Sequence, residues 1–318
     1  MRPEPSGRRT TPPARAALTI ALALGLLVAG CGNASPDASG PTPGPDAVAV
    51  VTTTTILADL VRQVGGDRVD VVSLVPKGGE VHTFDPTPTD VQRVVGARII
   101  VVNGLGLDDW LAALAEDSGT DATIVRLADD LPGVSYLAGD HEGETANPHL
   151  WLDVAYASKY VDRIQAALAE ADPADAAAYA GAADAYRARL ATLDSDIRDR
   201  IGALPAANRV VVSFHDAFPY FAAAYGLMVV GTVVDAPGQD PSAGEIADLV
   251  ATIRSSGAKA IFAEAQFSPR LAETVAGETG VVVVTDLYTD SVGDAPADTY
   301  EGLMRSNADR VVAALGGS

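Results

Sequence analysis

Few residues in this chain can carry chemistry. There is one cysteine, Cys31, and there are four histidines, His82, His141, His149 and His215. A histidine in a loop is most often a surface or hydrogen-bonded residue, so the weight rests on where each one falls. His82 stands in GGEVHTFDPTP after an apolar run at 69–75 that reads as a strand, and His215 stands in SFHDAFPYF directly after a second such run at 209–214. His149 lies in ANPHLWLD, just before a helical pattern, and Asp290 in LYTDSVGD follows the last strand-like run. In parallel α/β sheets ligands bind beyond the carboxyl ends of the strands, which is where all four residues fall. Three imidazoles and one carboxylate make a four-coordinate N/O set suited to Zn²⁺, and acceptable to Mn²⁺ if the carboxylate binds through both oxygens. None of the four motifs is specific alone, since no two histidines share a face of one helix. Their order along the chain is the informative part.

The elements that must position these residues are organised around residues 173–204, PADAAAYAGAADAYRARLATLDSDIRDRIGAL. Tyr179, Ala183, Tyr186, Leu190, Leu193, Ile197, Ile201 and Leu204 recur at steps of three and four, a single apolar stripe, with Asp172 as a candidate cap and Pro173 suited to the first turn. At 1.5 Å per residue the helix measures about 48 Å, longer than a small domain is wide, so it is expected to link two lobes. Strand-helix alternation on both sides supports this. Before the helix, strands are expected at 47–54, 69–75, 97–104 and 123–127, with helices between them and a further helix at 154–171. Thr87-Pro88-Thr89-Asp90 reads as a capped helix start. After it, strands at 209–214, 227–234, 258–264 and 281–286 alternate with helices at 216–225, 243–256 and 269–278, and a last helix at 298–315 closes the chain. The fold class is α/β: two lobes, 46–172 and 205–318, each a mainly parallel sheet flanked by helices.

With 318 residues the chain has room for two domains of ordinary size. Its net charge of −20 becomes −23 without residues 1–30, which hold four arginines against one glutamate, and that excludes nucleic acid as a partner. Lysine occurs only at 77, 159 and 259, a composition bias with no functional reading. The arginine-bearing start, the apolar run AALTIALALGLLVA at 16–29 and the Val-Ala-Gly-Cys that ends at Cys31 read as a signal peptide. That ending resembles a bacterial lipobox, which implies cleavage before Cys31 and a lipid on its sulfur. The folded part then has no thiol for disulfides, metal binding or nucleophilic catalysis. Residues 31–45 read as a flexible tether, so the chain is expected to be exported and anchored to the extracytoplasmic face of the cell membrane.

At this point the chain resembles the solute-binding lipoproteins of zinc and manganese ABC importers, whose two lobes are joined by one long helix. GGEVHTFDPTP, NPHLWLD, SFHDAFPYFAAAYGL and LYTDSVGD are similar to the four ligand loops of that family, and GQDPSAGEI and FAEAQFSP to its signature segments. The resemblance implies His82, His149, His215 and Asp290 as metal ligands, a membrane permease as partner, a monomer, and Zn²⁺ rather than Mn²⁺ as cargo. It also implies a protein that is not an enzyme. The family commonly has Asp-Pro before the first histidine, where this chain has Glu80-Val81, and zinc-specific members often carry a long His-rich loop, where this chain has only DHEGE at 140–144. His141 reads as solvent-exposed, a remnant collecting site being the alternative. Glu264 is either an acceptor for a ligand imidazole N–H or a buried glutamate bonded to backbone. Trp151, Phe84, Phe218 and Tyr220 read as packing around the loops, and Asp85, Asp153 and Asp216 as helix caps, with orientation of the ligands as the alternative. Two other functions are weighed: a binder of iron chelates or vitamins, which would lack the four-ligand set, and a tethered zinc hydrolase with Glu80 as general base. Because ligation needs neutral imidazoles, metal affinity is expected to fall as pH drops through ~6.5.

Overall fold

Runs of β-branched residues build two parallel sheets with the same strand order. In this computed structural model, which describes residues 43–139 and 143–316, strands β1 (Val48–Thr52), β2 (Val69–Ser73), β3 (Ile99–Val102) and β4 (Thr123–Arg126) pair as β2-β1-β3-β4. Strands β5 (Val210–Ser213), β6 (Met228–Thr232), β7 (Ala260–Glu264) and β8 (Val282–Leu287) pair as β6-β5-β7-β8, and every pairing in both sheets is parallel. The signal segment, Cys31, most of the tether and His141 lie outside the described residues. Among the described residues no helix is long and apolar enough to cross a membrane.

Nine helices are described: α1 (Thr55–Gly65), α2 (Pro88–Gly96), α3 (Asp109–Ser118), α4 (Val154–Ala171), α5 (Ala176–Gly202), α6 (Pro219–Tyr225), α7 (Ala243–Ser256), α8 (Arg270–Thr279) and α9 (Tyr300–Gly316). Alternation along the strands sorts the side chains between faces. Val50, Ile99 and Val101 enter a central core, while Val51, Ile100 and Val102 pack outward with Val94 of α2 and Leu111 of α3. In the second sheet Val211, Ala260 and Phe262 join that same central core, and Val212, Ile261 and Ala263 pack outward with Leu249 of α7 and Val275 of α8.

The stripe of α5 runs through the central core, and its eight positions from Tyr179 to Leu204 are all buried. The helix is therefore the spine of a hydrophobic core shared by both sheets, with α1, α4 and α9 packed along it. The described residues, 43–139 and 143–316, belong to one compact unit. The helix is shorter than its sequence pattern predicts. Pro173–Asp175 is a 3₁₀ turn, and the 27 residues that follow span about 40 Å. Asp172 does not cap it: the Asp172 carboxylate accepts the Tyr179 hydroxyl at 2.9 Å. The capping box at α2 forms as expected, with Thr87 and Asp90 satisfying each other's backbone N–H groups.

Candidate metal centre

Each sheet sends two side chains to one point. His82 comes from the loop between β2 and α2, and His149 from the segment between β4 and α4. His215 follows β5, and Asp290 follows β8. One ligand atom from each of the four lies within 4.8 Å of all the others. The three imidazole centroids stand 5.3 to 5.7 Å apart. His149, His215 and Asp290 are buried, and His82 is partly exposed, although its Nε2 is buried. A tetrahedral ion with bonds of 2.0–2.1 Å separates its ligand atoms by about 3.3 Å. His149 Nε2 is already 3.5 Å from Asp290 Oδ1, and His215 Nε2 is 3.8 Å from Asp290 Oδ2.

Neighbours contact the His149 and His215 rings. His149 Nδ1 and the His149 backbone N–H both lie 3.1 Å from Asn147 Oδ1, which makes Nδ1 the protonated nitrogen and turns Nε2 to the centre. Asn147 is itself held, because its Nδ2 donates to the carbonyl and the carboxylate of Asp216 at 2.7 and 2.8 Å. Asp216 thus holds the loop that carries His149, the second of the two roles the sequence offered for it. Asp153 does cap α4, through the Ala155 N–H. His215 Nδ1 is 3.1 Å from Glu264 Oε1, an ion-pair contact that sets the glutamate beside the His215 imidazole. Glu80 Oε1 accepts the His82 backbone N–H at 2.9 Å, so this glutamate closes the ligand loop in place of the family's Asp-Pro.

The carboxylates set the charge of the site. Burial pulls the His215 ring down, but Glu264, with Asp290 and Glu80 behind it, outweighs burial and lifts His215 to about 9. Burial lifts Asp290 to about 6 against the opposing pull of His215, and burial together with the Asp290 charge lifts Glu80 to about 7. The site therefore holds protons near neutral pH, and a divalent cation binding there would have to displace them.

Aromatic residues wall the centre. Trp151 packs 5.2 Å from the His149 ring, and its Nε1 donates to the Thr289 carbonyl at 2.6 Å. The Tyr300 hydroxyl donates to the Trp151 carbonyl at 2.6 Å. Tyr220 donates to the Asn147 carbonyl and accepts the Leu137 N–H, while Phe84 packs on Trp110 and Phe218 on Phe221 and Phe262. The loop bearing Asp290 is also fastened to the first sheet's loops. Ser291 Oγ accepts the Gly78 N–H at 2.8 Å, Thr55 Oγ1 accepts the Val292 N–H at 3.0 Å, and Lys77 pairs with Asp294 at 2.7 Å.

Sequence reasoning missed Asn147, Gln266, Thr289 and Phe267. Gln266 Nε2 donates to Asp290 Oδ2, Thr289 Oγ1 does the same, and Phe267 packs 5.5 Å from the His215 ring. Asn147 has a local signal, since an acceptor two residues before a histidine can reach both its backbone N–H and its ring. Thr289 is the sequence neighbour of Asp290 and could have been found the same way, whereas the contacts of Gln266 and Phe267 exist only once β7 lies between β5 and β8.

Comparison with known proteins identifies the family. The family model described as the periplasmic component A of the zinc-uptake complex, ZnuA, matches residues 50–314. The manganese-binding lipoprotein MntA of Halalkalibacterium halodurans is 33% identical over 298 residues, covering 93% of this chain and 97% of the relative. The iron-binding protein YfeA of Yersinia pestis is 32% identical and covers 84% of this chain and 86% of its own length. The periplasmic zinc-binding protein TroA from Treponema pallidum superposes with a TM-score of 0.78 at 30% identity, covering 85% of this chain and 99% of that structure. The chain belongs to the zinc-uptake complex component A family and is a substrate-binding protein of a metal ABC importer, not an enzyme.

Proposed function

We propose that this protein captures Zn²⁺, in preference to Mn²⁺, with His82, His149, His215 and Asp290 and passes it to the membrane permease of its importer. One observation carries the reading: three imidazole nitrogens and one carboxylate oxygen gather within 4.8 Å of one another. The names of the relatives point to manganese, iron and zinc in turn, so the donor set has to decide. A nitrogen-rich, four-donor site matches the tetrahedral preference of zinc, whereas Mn²⁺ favours more oxygen donors. The protein works as a monomer. Residues 1–30 are its signal peptide, Cys31 carries a lipid, and 31–45 tether lobes 46–172 and 205–318, joined by the helix 173–204, to the extracytoplasmic face of the membrane. Relatives named as lipoproteins support that placement.

Metal analysis of protein purified without added metal, followed by competition between Zn²⁺ and Mn²⁺, tests the reading. Zinc in the purified protein and tighter zinc binding are expected. Tighter manganese binding would overturn the choice of ion, and failure to bind either would overturn the site.

A further inference from the structure

The two oxygens of Asp290 have unequal surroundings. Oδ2 accepts from Gln266 Nε2 at 3.0 Å and from Thr289 Oγ1 at 3.1 Å. A carboxylate oxygen has two lone-pair directions, so these donors occupy both on Oδ2. Oδ1 is buried, accepts no hydrogen bond and lies 3.5 Å from His149 Nε2, whereas Oδ2, 3.8 Å from His215 Nε2, already carries both donors. The donors are themselves held. Gln266 Nε2 lies 3.3 Å from Thr289 Oγ1, and the Thr289 carbonyl accepts the Trp151 indole. Gln266 stands two residues after Glu264, whose carboxylate touches His215, and Ala265 N–H bonds the Leu287 carbonyl of the neighbouring strand. A single turn after β7 thus supports both ligands of the second sheet.

We infer that Gln266 and Thr289 are specificity-determining positioning residues that hold Asp290 as a one-oxygen ligand and so cap the protein's donor count at four. The inference rests on the zinc reading above and adds its mechanism. To recruit Oδ2 a larger ion must break two hydrogen bonds inside a buried site, while Zn²⁺ is satisfied by Oδ1 and three imidazoles. Mn²⁺, which gains from a second carboxylate oxygen, is the ion that this arrangement disfavours.

The test uses the full-length protein with Gln266→Ala and Thr289→Val, singly and together; valine keeps the shape of the buried threonine, and Gln266 is only partly buried. Zn²⁺ and Mn²⁺ dissociation constants come from chelator competition, and coordination numbers from X-ray absorption at each metal's edge. In the unchanged protein, four-coordinate zinc with one Asp290 oxygen is expected. In the double variant the coordination number rises by one, and the preference for zinc over manganese falls about tenfold, the range seen when groups behind a metal ligand are removed. An unchanged ratio, with both affinities lowered equally, would show that the pair only supports the fold, and would overturn this inference while leaving the zinc reading intact. An unchanged protein that binds neither ion would overturn both.

Discussion

At the residue scale the centre is a competition between protons and a metal ion for the same lone pairs. His215, lifted to about 9 by Glu264, keeps its proton at neutral pH until a cation displaces it. Zn²⁺ binding at pH 7 is therefore expected to release protons, measurable by calorimetry in buffers of different ionisation enthalpy. Affinity should climb from pH 6 to pH 9 and level off above that. The sequence alone placed this change near ~6.5, the value of an unperturbed histidine, because the contact with Glu264 is invisible in it. Glu264→Gln keeps an acceptor beside Nδ1 and removes the charge. At pH 9 it should weaken zinc binding about tenfold. The deficit should narrow toward pH 7, where the variant ring holds its proton less tightly than the unchanged one, and chelator competition at both pH values would show it. Equal deficits at the two values would contradict this account of His215.

At the element scale two features hold the centre in place, the α5 spine and the loop that follows β8. Leu193 lies in the middle of the buried stripe of α5, within the core shared by both sheets. Leu193→Ala should cost about 2–5 kcal/mol, read from urea unfolding, because a cavity there can collapse only by moving both sheets. The loop after β8 is fastened to the other sheet's loops through Ser291, Thr55 and Lys77. Ser291→Ala removes the acceptor for the Gly78 N–H and leaves the four ligands alone. It is expected to speed metal release about fivefold, the equivalent of about 1 kcal/mol for one hydrogen bond, with a smaller effect on capture; stopped-flow transfer to a chelator reads both. The exposed Lys77–Asp294 pair should contribute little, since both groups face solvent.

For the whole molecule the shared core limits how the protein can move. The central cluster includes residues of β1, β3, β5 and β7 as well as α5, so a large rotation of one sheet against the other would tear it open. The ligand atoms, within 4.8 Å of one another, need to contract by at most about 1.5 Å to reach tetrahedral separations. Scattering profiles of apo and loaded protein should therefore nearly superimpose, and a large change in radius of gyration would refute this. The same titrations bear on stability. His215, Glu80 and Asp290 all bind protons more tightly in the folded apo state than they would in an unfolded chain. The stability they contribute is thus present at low pH and lost as pH rises from about 4, the unfolded carboxylate range, through about 9. In this window the site's contribution should lower the Tm of the apo protein as pH rises, while the increment in Tm on adding Zn²⁺ should grow. Melting curves with and without metal at pH 5.5, 7 and 9 would check both, and an Asp290→Ala variant should lose the metal increment.

Much of this molecule was legible from residue order. The alternation of strands and helices, the stripe from Tyr179 to Leu204, and the positions of His82, His149, His215 and Asp290 after strands all follow from short-range patterns, because burial periodicity and strand-to-helix connections are local properties. The boundaries at Asp172 and Pro173 read less well, since Tyr179 competes for the carboxylate that was expected to cap the helix. What surrounds the ligands was decided only by the tertiary structure. Glu264 meets His215, Asn147 meets Asp216, and Gln266 meets Asp290 across long stretches of chain, and hydrogen bonds of that kind leave no periodic trace. The sequence determined which atoms can bind an ion; packing of β7 against β8, and of both sheets onto one helix, decided how those atoms are aimed and which of them are already engaged.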